Sequence, residues 1–538
     1  EMRPGDWSSD VCSSDLLKCD NKKTCFSTRK LFEKMSLDER IAELAQKYRP
    51  LARELLAEAI RIPADHCDKD PKCGMSNHEL PRLEYLKKRI VEIGAVERPE
   101  DVDFDPMGNL VWVVQDREDG IPAAEKKVVY LDGHTDTVNP LRSAWHERIG
   151  EGIDCYNGLT DATKIDEEKL RKELGFLPPR EEWEHLLFGR GSADQLAGVI
   201  SQIVSTKIML ELKSLGSLRG CIVRSYGTVA EEDNDGGAPM YICRHVLKGD
   251  DVPAELFPDA VIYTEGTGDS RATALGIYRG QRGRMQIEVE VIGKSCHGSM
   301  PWEGRNPLEA ASLIIAEAAD RYEKRIGFLD HPFLCHGTRT ASWSTIDTPS
   351  DCAVPEKFTF RFDRRMTLGE TPDACLADIE SFKSVKELRE KGFIITVRAP
   401  LYSDPSWKGF ALNNNQIYNA WITPEEHPCI RAAVSDYKAV VTPHVVESKG
   451  LMVPKEPRVS RWIFSTDGVG FVVPSGSLKV PASKNWIDDK VMAHPPMFGI
   501  GAGYEQNTHK IGECVDLREL VHAIAFIARF PSMLRDTK

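Results

Sequence analysis

Apolar runs and helical periodicities alternate along roughly the first 280 residues. Ser36-Leu-Asp-Glu39 is a capping box, and the apolar positions Ile41, Leu44 and Ala45 continue at helical spacing behind it. Pro50 ends that helix or restarts it, and residues 80–95 predict a second helix that stops near Gly94. FDPMGNLVWVV predicts a turn into a strand, and KKVVYLDGHTDTV another strand. FGRGSADQLAGVISQIVSTKIML predicts a Gly-rich loop and then a long apolar helix from about Gln195. CIVRSYGT runs as a strand into the acidic loop AEEDNDGG, and PDAVIYTEGT is a further strand ending in a glutamate. Strands alternating with helices predict an α/β fold, with a largely parallel sheet at its centre and helices on both faces.

From about Gln281 the pattern changes. RMQIEVEVIGKSCHGSMP and AVPEKFTFRFDRRM alternate as half-exposed strands do, and FIITVRAP predicts a third strand. NPLEAASLIIAEAADRYEK and ACLADIESFKSVKELREKG predict one helix each. This order predicts a small α+β domain with a one-sided antiparallel sheet, over about 281–399. The parallel pattern resumes in RVSRWIFSTDGV and MFGIGAGYEQNTHK and closes with a helix from Asp516. Residues 17–280 and 400–538 therefore form one domain into which the other is inserted.

Composition narrows the function classes. At 538 residues the chain exceeds one compact core. A net charge of −13 without a long Lys/Arg cluster argues against a nucleic-acid or anionic-membrane partner. No apolar run is long enough to span a bilayer. The 14 cysteines are scattered, which points to reduced thiols in a cytoplasmic protein, although Cys19–Cys25 and Cys67–Cys73 could each close a small loop. The run DVCSSDL, Asp10 to Leu16, is what the end of a common sequencing adapter encodes. Residues 1–16, with Cys12, are therefore set aside as an assembly artefact.

Candidate chemistry collects where the predicted strands stop. His134 and Asp136 are two residues apart at the end of one strand, a pairing suited to a metal-binding histidine held by a carboxylate. Asp194, Glu231, Glu232, Glu265 and His509 fall at the ends of other strands. In an open parallel sheet those ends share one edge, where ligands bind. Two histidines and three carboxylates can hold a pair of zinc ions, with one carboxylate bridging and one further acid as general base.

DGHTDTV, GRGSAD, GTVAEED, YRGQRGRM, CHGSMP, FDRRMT, FSTDG and the C-terminal His-x-x-x-Glu together resemble the co-catalytic zinc peptidases. These include acetylornithine deacetylase, succinyl-diaminopimelate desuccinylase, aminoacylase and glutamate carboxypeptidase, and YgeY-type hydrolases look nearest. The resemblance runs from about residue 90 to the end. It implies two zinc ions, with cobalt or manganese as possible substitutes. His134, Asp194 and Glu265 would hold one ion, and Asp194, Glu232 and His509 the other. Asp136 would orient His134, and Glu231 would be the general base. Residues 281–399 would be a lid and dimerisation domain, with His297 reaching a partner's site to stabilise an oxyanion. Arg365, or less readily Arg364, would read a substrate carboxylate, with Asn306 a further substrate-binding candidate. The peptide after Asp194 would be cis.

The resemblance further implies hydrolysis of the amide bond of a small N-acyl amino acid by a homodimer or higher oligomer. Glu at position 265 favours a deacylase over the alternatives, a dipeptidase or carboxypeptidase. A catalytically inactive binding protein would lack ligands, and none is missing. Two departures stand out. Gly266 occupies the place of the usual proline, and the stretch between Trp145 and Phe188 is longer than the family needs. That stretch either walls the pocket or packs outside it.

Overall fold

The computed structural model describes residues 35–65, 79–159, 162–174, 176–269, 273–446, 448, 450 and 452–537. The adapter-like segment and the Cys19–Cys25 and Cys67–Cys73 pairs lie outside them. Ser36 and Glu39 form the reciprocal capping box at the start of α1 (Leu37–Lys47), and α2 (Arg49–Ile60) restarts with Pro50 in its first turn, where proline needs no N–H partner. Helix α3 (Glu79–Glu92) leads to β1 (Val102–Phe104), β2 (Leu110–Gln115) and β3 (Lys127–His134). Helix α4 (Ala197–Glu211) is buried over most of its surface, because it packs against the sheet, α1, α2 and the C-terminal helix Leu517–Asp536. It is followed by β4 (Cys221–Thr228), β5 (Ala260–Tyr263) and β6 (Ile277–Gln281).

The chain then enters a second sheet through β7 (Gly283–Ile292), α5 (Pro307–Glu323), β8 (Thr338–Asp347), β9 (Lys357–Met366), α6 (Pro372–Glu380), α7 (Lys383–Glu390) and β10 (Ile394–Arg398). It returns through β11 (Trp421–Ile422), α8 (Pro428–Val440), β12 (Val459–Trp462), β13 (Met497–Gly499) and α9 (Leu517–Asp536). The main sheet has the order β1-β2-β4-β3-β5-β13-β6-β11, with β12 also on β6. Its centre, β4-β3-β5-β13, is parallel, and β1, β2 and β11 pair antiparallel at the margins. The parallel centre is apolar on both faces because helices cover both, as the runs VVYL and AVIY anticipate.

The second sheet, β8-β9-β7-β10, is antiparallel and has its own core. Phe358, Phe360 and Phe362 alternate inward from β9 against α5, α6 and α7. Two features differ from the sequence expectation. Strand β8 went unpredicted, since it is an edge strand whose residues are mostly polar and exposed. ACLADIESFKSVKELREKG forms two helices rather than one. Glu317 on α5 accepts the backbone N–H groups of Lys383 and Ser384 at 3.0 and 2.8 Å and so caps a new start, with Phe382 buried at the break. At the junction, a Cβ on Gly283 would meet Tyr418 O at 2.4 Å and one on Gly280 Trp421 O at 2.9 Å. Glycine is thus required at both positions by the close approach of 418–421.

The stretch between Trp145 and Phe188 makes a third core with Ile511 and Cys514. Its Phe176 stacks on Tyr504, ring centroids 4.2 Å apart, and exchanges hydrogen bonds with Asn507. It braces the loop that leads to His509.

Two buried histidines outside that loop set an acid limit on stability. His494 lies under Trp421 with Nδ1 on Pro495 O, and His522 lies inside α9. Burial depresses both to about 4. The unfolded chain takes up a proton near pH 6.5 and the native one only near 4, so their stabilisation is complete above about 6.5 and is lost as pH falls. The loss reaches about 3 kcal/mol per histidine by pH 4. Urea unfolding from pH 7 to 4 should show it, and His522→Asn should flatten the dependence. An unchanged slope would count against this account.

Candidate metal centre

Five side chains meet above the C-terminal edge of the parallel centre. Only His134, Glu232 and Glu265 follow main-sheet strands closely. Asp194 lies on the turn Ser192–Leu196 that leads into α4, and His509 on a loop ten residues past β13. His134 ends β3, and its Nδ1 lies 2.9 Å from the carbonyl oxygen of Asp136. A carbonyl can only accept, so Nδ1 carries the proton and Nε2 presents its lone pair. That lone pair faces Asp194 Oδ1 at 3.0 Å and Glu265 Oε1 at 3.4 Å. His509 Nε2 faces the other Asp194 oxygen at 2.9 Å and Glu232 Oε2 at 3.2 Å. Acceptors facing acceptors at these distances require a cation or a proton between them. Two ligand groups result, His134–Asp194–Glu265 and Asp194–Glu232–His509, each with donor atoms within 4.8 Å of one another and both sharing Asp194. The peptide between Asp194 and Gln195 is cis.

The electrostatics point the same way. Burial pushes Glu265 up to about 7, with the Asp194 charge adding to it and His134 opposing it. Burial also drives Glu231 well above the carboxylate range, against the pull of His134 and helped by Asp235 and Glu232. Burial raises Asp194 as well, but the two histidines outweigh it and hold it low. The protein by itself leaves excess negative charge here, which suits divalent cations.

The remaining candidates are distributed as follows. The Asp136 carboxylate lies 3.5 Å from His134 Nδ1, further than its own carbonyl, and accepts the backbone N–H groups of Glu231 and Glu232 at 3.1 and 3.0 Å. It therefore holds the short turn Glu231–Asn234 as well as the histidine. On that turn the two glutamates diverge. Glu232 points to His509, and Glu231 Oε2 lies 3.9 Å from His134 Nε2. Arg365 lines the same cavity, of about 490 Å³, together with Asp194, Glu231, Glu232, Glu265 and His509. Arg364 does not line it; it is buried in the second sheet's core on Glu370 and Phe328. Asn306 caps α5 by accepting from Leu308 and Glu309. His297 is exposed outside the cavity of its own chain, its Nδ1 accepting from Ser299 N at 3.1 Å. No described residue between 145 and 188 lines the cavity.

The sequence motifs left the supports without roles. Glu513, fully buried, pairs with buried Arg190 and accepts the N–H groups of Ala193 and Asp194 at 2.9 and 3.0 Å. Arg190 Nη2 in turn donates to His509 O at 3.2 Å. One ion pair thus fastens the loops of two candidate ligands, Asp194 and His509. Gly266 allows another close approach, since a Cβ there would meet Gly503 O at 3.0 Å, and its carbonyl accepts from Trp462 Nε1.

Residues 279–388 match the family model described as Peptidase dimerisation domain. Over 495 residues the chain is 28% identical to the Escherichia coli (strain K12) protein YgeY, covering 91% of this chain and 96% of that one. A probable succinyl-diaminopimelate desuccinylase of Staphylococcus aureus (strain Mu50 / ATCC 700699) is 28% identical over 138 residues, 26% of this chain and 30% of the relative. The fold matches an M20 family metallo-carboxypeptidase, Sso-CP2 from Sulfolobus solfataricus, with TM-score 0.58 and 14% identity over 90% of this chain and 99% of that one. The chain is thus similar to M20 peptidases, with their dimerisation domain at 279–388 and likeness to YgeY along most of its length. It is accordingly a hydrolase of the metallopeptidase and amidohydrolase type. Among the described residues no helix is long and apolar enough to cross a membrane, and nine cysteines are free thiols.

Proposed function

We propose that the chain is a dinuclear zinc hydrolase that cleaves the amide bond of a small N-acyl amino acid. The observation that carries this is the pair of ligand groups sharing Asp194 at the floor of a cavity that also holds Glu231 and Arg365. His134, Asp194 and Glu265 would hold one ion, and Asp194, Glu232 and His509 the other. Such a pair supplies, when bound, Lewis acidity and a water of lowered pKa. Glu231 would be the residue that accepts a proton from the attacking water and passes it to the leaving nitrogen. Arg365 receives the substrate carboxylate and fixes the amide relative to Glu231.

The second sheet, about 281–399, is on this proposal the dimerisation domain. Its exposed apolar side chains support it: Trp343 and Ile346 on edge strand β8, Leu308 and Leu313 on α5. His297 serves the partner's site. With Nδ1 accepting from Ser299, its neutral ring carries the proton on Nε2, a donor for a developing oxyanion. Mixing inactive His297→Ala and Glu231→Gln chains should restore up to about a quarter of wild-type turnover in random dimers, which contain one intact composite site in half of the pairs. No recovery on mixing would overturn the composite site.

A panel of N-acetyl, N-succinyl and N-carbamoyl amino acids with dipeptides, assayed with zinc, cobalt or manganese alongside metal content, tests the activity. Deacylation of acyl amino acids at two ions per chain is expected. Cleavage of dipeptides alone would favour the dipeptidase or carboxypeptidase alternative. Arg365→Lys should raise KM for acyl amino acids at least tenfold and keep both metals, since lysine cannot copy a bidentate contact.

A further inference from the structure

The cavity wall also carries a closed ring of charge-assisted hydrogen bonds. Arg284 on β7 donates to Asp235 and, through Nε at 3.4 Å, to Asp363 on β9. Asp363 also accepts from Arg365 Nε and Nη2 at 2.8 and 3.2 Å. Arg365 Nη1 donates to Ser465 Oγ at 2.7 Å, and the Ser465 hydroxyl donates to Asp235, which closes the ring. Four of the five members, all but Asp363, line the cavity.

The ring joins the two sheets. Arg284, Asp363 and Arg365 belong to the second sheet, whereas Asp235 and Ser465 come from loops of the main domain. Asp235 also ends the turn that bears Glu231, its N–H donating to Glu231 O at 2.7 Å. It does so at φ 39°, a left-handed conformation uncommon for a residue with a side chain, so two side-chain bonds anchor the turn at its end. A free arginine loses much rotamer freedom when it binds a carboxylate, and one already held in a network loses little. Two guanidinium groups and two aspartates make up the ring, so the wall is charge-balanced before any substrate arrives.

We infer that Asp235 and Ser465 are positioning residues that preset the Arg365 guanidinium at a fixed offset from Glu231, so that one rigid unit reads the substrate carboxylate and places the amide. This rests on the hydrolase reading above, with Arg365 as the carboxylate contact. Asp235→Asn removes one of the two negative charges of the ring, and Ser465→Ala removes the link between Asp235 and Arg365.

The test uses the metal-loaded full chain and two readouts. The first is the rate at which phenylglyoxal modifies Arg365, followed by peptide mass spectrometry, which needs no substrate. Both variants should speed that modification at least fivefold. The second is steady-state kinetics on the best acyl amino acid of the panel and on its carboxamide. For the acid, KM should rise tenfold or more while kcat falls much less, and for the carboxamide KM should stay put. Unchanged Arg365 reactivity in both variants, or a loss confined to kcat, overturns the inference. If wild type hydrolyses nothing in the panel, the hydrolase reading fails, and the labelling rates still decide whether the ring holds Arg365. Should Asp235→Asn fail to fold, Ser465→Ala decides alone.

Discussion

Glu231→Gln is expected to bind near-normal metal and to lose on the order of a hundredfold or more in kcat, the scale for removing a general base. Glu231 is buried on the turn Glu231–Asn234, its carboxylate 3.9 Å from His134 Nε2 and a member of neither candidate ligand group. Glutamine keeps the size and some of the hydrogen bonding but cannot accept a proton. Burial and neighbouring acids drive Glu231 upward in the protein alone, and bound divalent cations act in the opposite direction, toward the ionised base that proton abstraction needs. Glu232→Gln should behave differently. It removes a donor that faces His509 at 3.2 Å, so one metal weakens and activity partly returns at high zinc. Metal content measured beside turnover separates the two. If Glu231→Gln loses metal while Glu232→Gln keeps it, the two roles are reversed.

Glu513→Gln should cost about 3 kcal/mol of stability, because it leaves the Arg190 guanidinium buried without its counter-charge. It should also weaken metal binding by roughly 10–100-fold, the usual range for a residue that orients ligands without touching the ion. Glu513 accepts the N–H of Asp194, and its partner Arg190 holds the carbonyl of His509, so both loops loosen together. Urea unfolding of the metal-free protein reads the first effect, and chelator competition reads the second. A variant with wild-type stability and wild-type affinity would show that the pair is dispensable. A loss of stability with unchanged affinity would separate the pair from the ligands.

Much of the architecture was legible from one-dimensional pattern. Continuous apolar runs such as VVYL and AVIY report burial on both faces, and that sufficed for a parallel-centred sheet. The alternation in KFTFRF reported the one-sided second sheet. Edge strand β8 was invisible because an exposed strand has no apolar period to show. The break between α6 and α7 was invisible because Glu317, more than sixty residues earlier in the chain, supplies the cap.

For the site, the sequence alone determined the residue types: His134, Asp194, Glu232, Glu265 and His509 are two imidazoles and three carboxylates, a set that can hold metal ions. The expected strand-end placement holds for His134, Glu232 and Glu265. Only the tertiary structure decided that the two Asp194 oxygens face different histidines and that Asp136 holds the Glu231–Glu232 turn. It also decided that Arg365 shares the cavity while Arg364, its neighbour on an alternating strand, turns into the core. The physical reason is one of range. Periodicity records how each residue meets water, whereas pairings such as Arg190 with Glu513, or Asp235 with Ser465, join residues hundreds of positions apart through the packing of whole elements.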